Sequence, residues 1–292
     1  MSIDGAMAGW WLLGIVLVSV ASVVSAAENQ ITKYARFEWN GKTAYGVVEQ
    51  DRIRVLEGDL FGSFHRTDQT VALSEVKLLP PTQPSKIIAL ALNYKSHLGE
   101  QAVPKHPECF LKPPSCLIAH GQDIVFPAGT SRVDHEGELV VVIGKQARNV
   151  SPDKAPEYVL GVTCGNDVSA RDWQKNDVQW WRAKGCDTFG PCGPWIVSGL
   201  RYDDLQLTVR VNGQIRQQQR TSDLIFDVAH IVSFISHHMT LQPGDLIFTG
   251  TPGTTTPLQR GDVVEVEIEG IGVLRNRVAG VAAEKPASAV VR

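Results

Sequence analysis

The chain has 292 residues, enough for one large domain, or for a large domain beside a small one, with a sizeable core. With 43% hydrophobic and 20% charged residues it has the composition of a globular protein, not of a disordered or fibrous one. A formal net charge of -3 leaves no basic footprint and excludes the usual electrostatic mode of nucleic-acid binding.

Residues 10–26, WWLLGIVLVSVASVVSA, carry no charge and end in small residues before AENQITKY turns polar. The pattern predicts a secretory signal over 1–27, cut near Ala26. The leading MSIDGAMAG carries Asp4 and no Lys or Arg, unlike the usual signal start. The apolar run is also close to the shortest that spans a bilayer, so an uncleaved membrane anchor is the alternative. Either form exports the protein, to the periplasm or tethered to a membrane; without a working leader it is cytoplasmic.

From residue 32 onward YARFEW, TAYGVV and RIRVLEG read as short strands parted by NGK and EQD, a small amino-terminal β domain over 32–80 with a hairpin at 40–42. LPPTQPSK, at 79–86, is a proline-rich joint into a main domain over 84–280. There IIALALNY predicts an apolar strand, KSHLGEQA one helical turn or a loop, and PDKAPEYVLGVTC a short helix feeding a strand that ends at Asn166 and Asp167. LQLTVRVNGQIRQQQR alternates and turns at Asn212 and Gly213. In FDVAHIVSFISHHMT, Val228, Ile231, Val232 and Ile235 share one helix face, Asp227 is placed to cap it, and His237 and His238 suit its carboxyl end. In GDVVEVEIEG, Val264, Val266 and Ile268 alternate with Glu265, Glu267 and Glu269. Residues 281–292 read as a flexible tail. The fold class is α+β, rich in β structure, with few helices. Five cysteines without a CxxC pair indicate neither a disulfide framework nor a zinc cluster.

The stretch DHEGELVVVIG, 134–144, runs acids straight into an apolar strand of the kind covered on both faces. Glu136 and Glu138 share a strand face with Cα atoms roughly 6.5 to 7 Å apart. Two carboxylates so close repel unless a cation lies between them, and an all-oxygen set suits a hard ion such as Mg2+. Asp167 offers a third acid. Asp134 has the same parity as the glutamates, so alternation alone leaves the ligand pair open. The plain alternative is a solvated strand end paired with Arg132 or Arg148.

These motifs resemble the fumarylacetoacetate hydrolase family. DHEGELVVVIGK, GNDVSARDWQ, RAKGCDTFGPCGPWIV, RVNGQIRQ, LQPGDLIFTGTPGT and GDVVEVEIEGIGVLRN match it in order over about 87–278, and the small leading β domain is similar to that of many bacterial members. The resemblance implies a mixed β-sandwich or roll as the catalytic domain. It also implies Mg2+ or Mn2+ on Glu136, Glu138 and Asp167, and so decides against Asp134. It implies Lys184 near the metal, holding substrate or developing charge, with Gln174 and Thr251 contacting substrate. It further implies His97 and Glu100 as a water-activating pair on a closing segment. The plainer readings are a turn residue for Thr251, an exposed Gln174, a merely packed His97, and core or dimer contacts for Trp180 and Trp181. Gly185 and Cys186 depart from the family pattern after the lysine, which implies an altered pocket wall. The implied activity is metal-dependent chemistry on 2-oxo acids or their enols, as in the catabolism of aromatic compounds. It takes the form of acylpyruvate-type C–C hydrolysis, or of isomerisation or decarboxylation of 2-hydroxy-dienoic diacids, by a homodimer. A ureidoglycolate-type lyase and a non-catalytic exported binding protein are the alternatives.

Overall fold

The computed structural model describes Met1 and residues 30–279; the leader and the tail lie outside the described residues. The backbone is dominated by two sheets. The larger begins with the meander Phe64–Ala72, Arg52–Gly58, Lys42–Glu49 and Thr32–Trp39. It continues through Gly190–Ser198, Val159–Asn166, Gly137–Ile143, Leu246–Phe248 and Ile87–Ala91 to its edge strand Glu108–Lys112. The amino-terminal meander has a small core of its own around Phe37, Ile53 and Val71. It is nevertheless continuous with the main sheet, because Thr32, Lys33 and Tyr34 pair with Ser198, Val197 and Ile196. Two hairpins close on left-handed residue pairs, Asn40 with Gly41 and Asn212 with Gly213, as a two-residue loop between twisted strands requires.

The second sheet runs Gln214–Arg220, Gln206–Val211, Val263–Ile268, Gly272–Val278 and Asp123–Ile124. It packs on the face of the main sheet that carries Leu139, Val141 and Ile143, where they meet Val209, Val266 and Leu274. Val140 and Val142 point the other way, toward Ile87, Phe248 and Leu60. Every residue of Gly137–Ile143 is therefore buried, and its unbroken apolar run reflects cover on both faces. The helix Val228–His238 buries Val228, Ile231, Val232 and Ile235, and Asp227 caps it by accepting from the His230 amide. All five cysteines are free, so no bridge forms.

Asp245, fully buried, ties the proline-rich joint to the sheet. Its carboxylate accepts from the Ser85 and Lys86 amides, the Ser85 hydroxyl and the Lys86 ammonium at 2.6 Å. Gly137 is required at its place. A Cβ there would lie 2.1 Å from a Val209 methyl and 3.3 Å from one of Val266, between the two sheets. Gly137→Ala should therefore cost about 1 to 3 kcal/mol through overpacking. The measurement is the urea midpoint of unfolding, and a variant as stable as wild type would show that the sheets have slack at this point.

Candidate metal and active site

The acidic end of Gly137–Ile143 is fixed by its neighbour Val159–Asn166. Gly137 pairs with Asn166 and Glu138 with Gly165. Beyond the ladder, the Asn166 side chain accepts from the Glu136 amide and the Asp167 amide donates to the Glu136 carbonyl, each at 2.8 Å. These bonds draw Glu136, Glu138 and Asp167 together until one oxygen of each lies within 4.8 Å of the others. All three are almost wholly buried.

Three buried acids this close need compensation. Lys184, on the short helix Trp181–Gly185, donates to Glu136 Oε2 at 2.5 Å and to Asp167 Oδ2 at 2.6 Å. Lys112, at the end of the edge strand, donates to Asp167 Oδ1 at 2.6 Å. Arg171 opens the helix Arg171–Asn176 and reaches Glu136 Oε1, Asp134 Oδ2 and Thr255 Oγ1. Burial pushes the Glu136 carboxyl up, but Arg171, Lys184 and His97 outweigh it and hold the group well below the usual carboxylate range. Among the described residues Glu138 forms no ion pair, and Lys184 acts on it only from a distance. Burial first, then Asp167 and Glu136, push it well above that range. Its Oε2 accepts from the Gly250 amide at 2.7 Å, while its buried Oε1 has no partner. A hard divalent cation fits this donor set: the oxygens converge, one is orphaned, and the negative charges of Asp167 and Glu136 add to the burial that raises Glu138.

Asp134 is not part of this group. It lies on the separate bridge Val133–Asp134 and is taken up by Arg132 at 2.8 and 2.9 Å, by Arg171 and by Thr255. The pairing with Arg132 expected for a plain strand end thus holds for Asp134 alone. Arg148 turns to the Ser236 carbonyl instead.

Above the acids lies a cavity of about 290 Å³. Glu136, Lys184, Arg171, Gln174, Thr251 and His97 form its polar wall, and Leu90, Phe110 and Trp180 its apolar one. Gln174 accepts from Arg171 at 2.7 Å. Thr251 donates its hydroxyl proton to the Gly137 carbonyl and accepts from Gln217, so its side chain is fixed to the acidic strand. His97 donates from Nδ1 to the Gly253 carbonyl, and its Nε2 lies 3.8 Å from Glu136 Oε1.

Two expectations change here. Glu100 is exposed, is not among the residues that line the cavity, and among the described residues has no hydrogen bond or ion pair with His97. Its segment is a 3-10 turn, Lys95–His97, that ends before Gly99 enters the left-handed region (φ +58°), which directs Glu100 outward. Gly185 and Cys186 do not line the cavity either. A Cβ on Gly185 would meet Pro113 at 2.6 Å, and the Cys186 thiol turns back to the Arg182 carbonyl. Trp180 is a cavity wall, while Trp181 is 71% exposed and in no core. Sequence reasoning also missed Arg171 and Lys112. Arg171 was visible as the base in SARD, four residues beyond Asp167. Lys112 was visible only as a lysine sharing the strand face of Phe110 in ECFLK.

Comparison with known proteins agrees with this geometry. The family model described as fumarylacetoacetate (FAA) hydrolase C-terminal matches residues 86–279, and the one described as Rv2993c-like, N-terminal matches 32–81. The crystal structure of 2-hydroxyhepta-2,4-diene-1,7-dioate isomerase from Mycobacterium marinum is 41% identical. Its superposition has a TM-score of 0.81 and covers 86% of this chain and 99% of that one. Maleylpyruvate hydrolase from Sphingobium sp. SYK-6, solved with manganese(II) and pyruvate, is 31% identical with a TM-score of 0.71, over 85% and 99% of the two chains. The mitochondrial oxaloacetate tautomerase Fahd2a of Rattus norvegicus is 39% identical over 214 residues, 69% of this chain and 68% of its own. With two thirds of its length under the family model and the acidic site at the centre of that match, the chain belongs to the fumarylacetoacetate hydrolase family of enzymes.

Proposed function

We propose that the protein is a divalent-metal-dependent enzyme of 2-oxo acids or their enols, and that proton transfer between oxo and enol forms is its leading chemistry. Isomerisation or decarboxylation of 2-hydroxy-dienoic diacids would be built on that step. The observation that carries this reading is a buried acid triad, one of its oxygens unpartnered, beneath a cavity with Lys184 and His97 in its wall. Mg2+ or Mn2+ held by Glu136, Glu138 and Asp167 would polarise the 2-oxo group and stabilise enolate charge.

The chain's own groups then divide the work. Lys184 meets the charge that develops on the substrate oxygens. Arg171 and Gln174, bonded to each other, orient the carboxylate end, and Thr251, its hydroxyl already used, shapes the wall beside them. In its neutral form His97, with the Nδ1 proton given to Gly253, offers a lone pair at Nε2 toward the cavity as a base for a carbon-bound proton. Leu90, Phe110 and Trp180 keep water from the transfer.

Acylpyruvate-type C–C hydrolysis is the second reading, favoured by the maleylpyruvate hydrolase relative. It needs a water activated by His97 and Glu100 together, and therefore a movement of the 95–101 segment that brings Glu100 inward. A ureidoglycolate-type lyase would use the same floor. A non-catalytic binding protein would have no need of the base beside it.

Two predictions test this reading. Glu138→Gln, nearly isosteric, should lower metal-dependent turnover of oxaloacetate by more than about a hundredfold, since even groups that only orient metal ligands are worth about 10 to 100. Its thermal unfolding midpoint should not fall; undiminished wild-type turnover in EDTA would refute the metal role. His97→Ala should slow oxaloacetate enolisation by about 10² to 10⁴. Glu100→Ala should spare enolisation and reduce only acylpyruvate hydrolysis. If Glu100→Ala impairs both reactions equally, His97 and Glu100 act as one unit in both.

We also infer that a second copy covers the far side of the cavity wall. The edge strand Glu108–Lys112 leaves one side unpaired. Beside it lies an apolar groove of about 460 Å³ lined by Ile88, Leu111, Trp180, Trp181, Phe234 and Met239. Leu111 is 56% and Trp181 71% exposed on it, a patch that a free monomer rarely carries beside an open strand edge. Phe110 and Trp180 belong to both groove and cavity, so a homodimer formed here would brace the substrate wall. Trp181→Glu should shift the mass measured by light scattering from dimer to monomer; an unchanged dimer would place the interface elsewhere.

A further inference from the structure

The acids of the site are already equalled in number by cations of the chain. Asp134, Glu136, Glu138 and Asp167 make four carboxylates, and Arg132, Arg171, Lys112 and Lys184 make four bases, each in an ion pair with at least one of Asp134, Glu136 and Asp167, so that the charges balance although Glu138 itself is paired with none of them. Lys112 is the fully buried member for which the proposed chemistry has no use. Its ammonium donates to Asp167 Oδ1, to the Phe189 carbonyl at 3.1 Å and to the Lys184 carbonyl. All three of its protons are thus placed. Those bonds hold the Asp167 carboxylate and the end of the Lys184 helix in one arrangement, and Lys112 has no solvent to which it can retreat.

With the four acids ionised, a divalent cation added to this set leaves two positive charges without partners in a dry interior, a costly state. An anionic 2-oxo acid in the cavity above, becoming more negative as it enolises, offsets them. We propose that Lys112 is a positioning residue and fixed counter-charge which makes the site take up a divalent cation together with an anionic 2-oxo acid, and the cation alone only weakly. The inference rests on the metal-enzyme reading above and adds the order of assembly to it. By linkage, the cation and the anion must raise each other's affinity by the same factor.

The test is Mn2+ binding to the full-length protein, read from the paramagnetic resonance signal of free Mn2+, with no addition, with saturating pyruvate and with saturating pyruvamide. Pyruvate should tighten Mn2+ binding by about tenfold or more, and the uncharged pyruvamide should do much less. Equal Mn2+ affinity with and without pyruvate would overturn the inference, as would an equal gain from pyruvamide, which would make chelation the cause in place of charge. Lys112→Met should bind Mn2+ alone more tightly than wild type and show a smaller pyruvate effect. Lys112→Arg should keep the wild-type coupling. A folded Lys112→Met with wild-type coupling would remove Lys112 from the account, and if that variant does not fold the wild-type series still decides. Failure to bind Mn2+ under every condition would be a different result, defeating the metal reading itself.

Discussion

The structure depends on keeping three carboxylates within one ion's reach of each other in a dry interior. Left alone, like charges at that spacing would protonate or force the strands apart. Here the cross-strand bonds of Asn166 and Asp167 to the backbone of Glu136 set the spacing, and buried bases make it tolerable. Lys184 spans Glu136 and Asp167, Lys112 holds the other Asp167 oxygen from behind, and Arg171 joins Glu136 to Asp134. Each bond costs desolvation that is recovered only while its partner is present, so these groups stand or fall together. Glu138 is the exception, bonded to a backbone amide and otherwise free, and it is the acid with most to gain from a cation.

The sandwich serves that cluster. Gly137 lets the acidic strand lie against the second sheet while Glu136 and Glu138 face the other way. The remaining groups arrive from separated parts of the chain: His97 from the turn after one strand, Lys112 from the edge strand, Lys184 from a short helix, and Thr251 from the loop after Leu246–Phe248. The acids sit on or just beyond strand ends, while short helices and loops carry the groups that line the cavity.

Much of this was legible in the sequence, for physical reasons. Alternation placed Glu136 and Glu138 on one face because a strand has period two, whatever lies around it. Asn-Gly pairs announced their hairpins because few other residues accept the left-handed conformation. Alternation could not separate Asp134 from the glutamates; the difference is made by Arg132 and Arg171, and a partner brought in by tertiary structure leaves no period behind. Lys112 was hidden for the same reason, its ion pair being made 55 positions away. The H-x-x-E spacing of His97 and Glu100 assumed a full helical turn. The chain makes only a 3-10 turn and then reverses at Gly99, so the two side chains part. The leading strands were readable as a small sheet, but their continuity with Gly190–Ser198 depends on an edge pairing that no local pattern records.

The relatives differ in reaction, one an isomerase, one a tautomerase and one a hydrolase, and the fixed and free parts of this wall indicate where such differences can arise. Thr251 cannot turn. Its hydroxyl is used by Gly137 and Gln217, and the Gln217 amide is itself filled by His135, the Gly137 amide and Pro252. Lys184 and Arg171 are tied to acids, so the floor and that side of the cavity offer one geometry to every substrate. The 95–101 segment is different. It is held by a few contacts, Ser96 and His97 on Gly253, Ser96 on Gln219 and the buried Leu98, and the chain reverses at Gly99. On the proposed reading, what it carries inward, a lone imidazole or an imidazole with a carboxylate beside it, would decide between proton transfer to carbon and prior attack of water. On that reading the choice of reaction lies with a short tethered turn, and the support of a developing enolate with the buried acids.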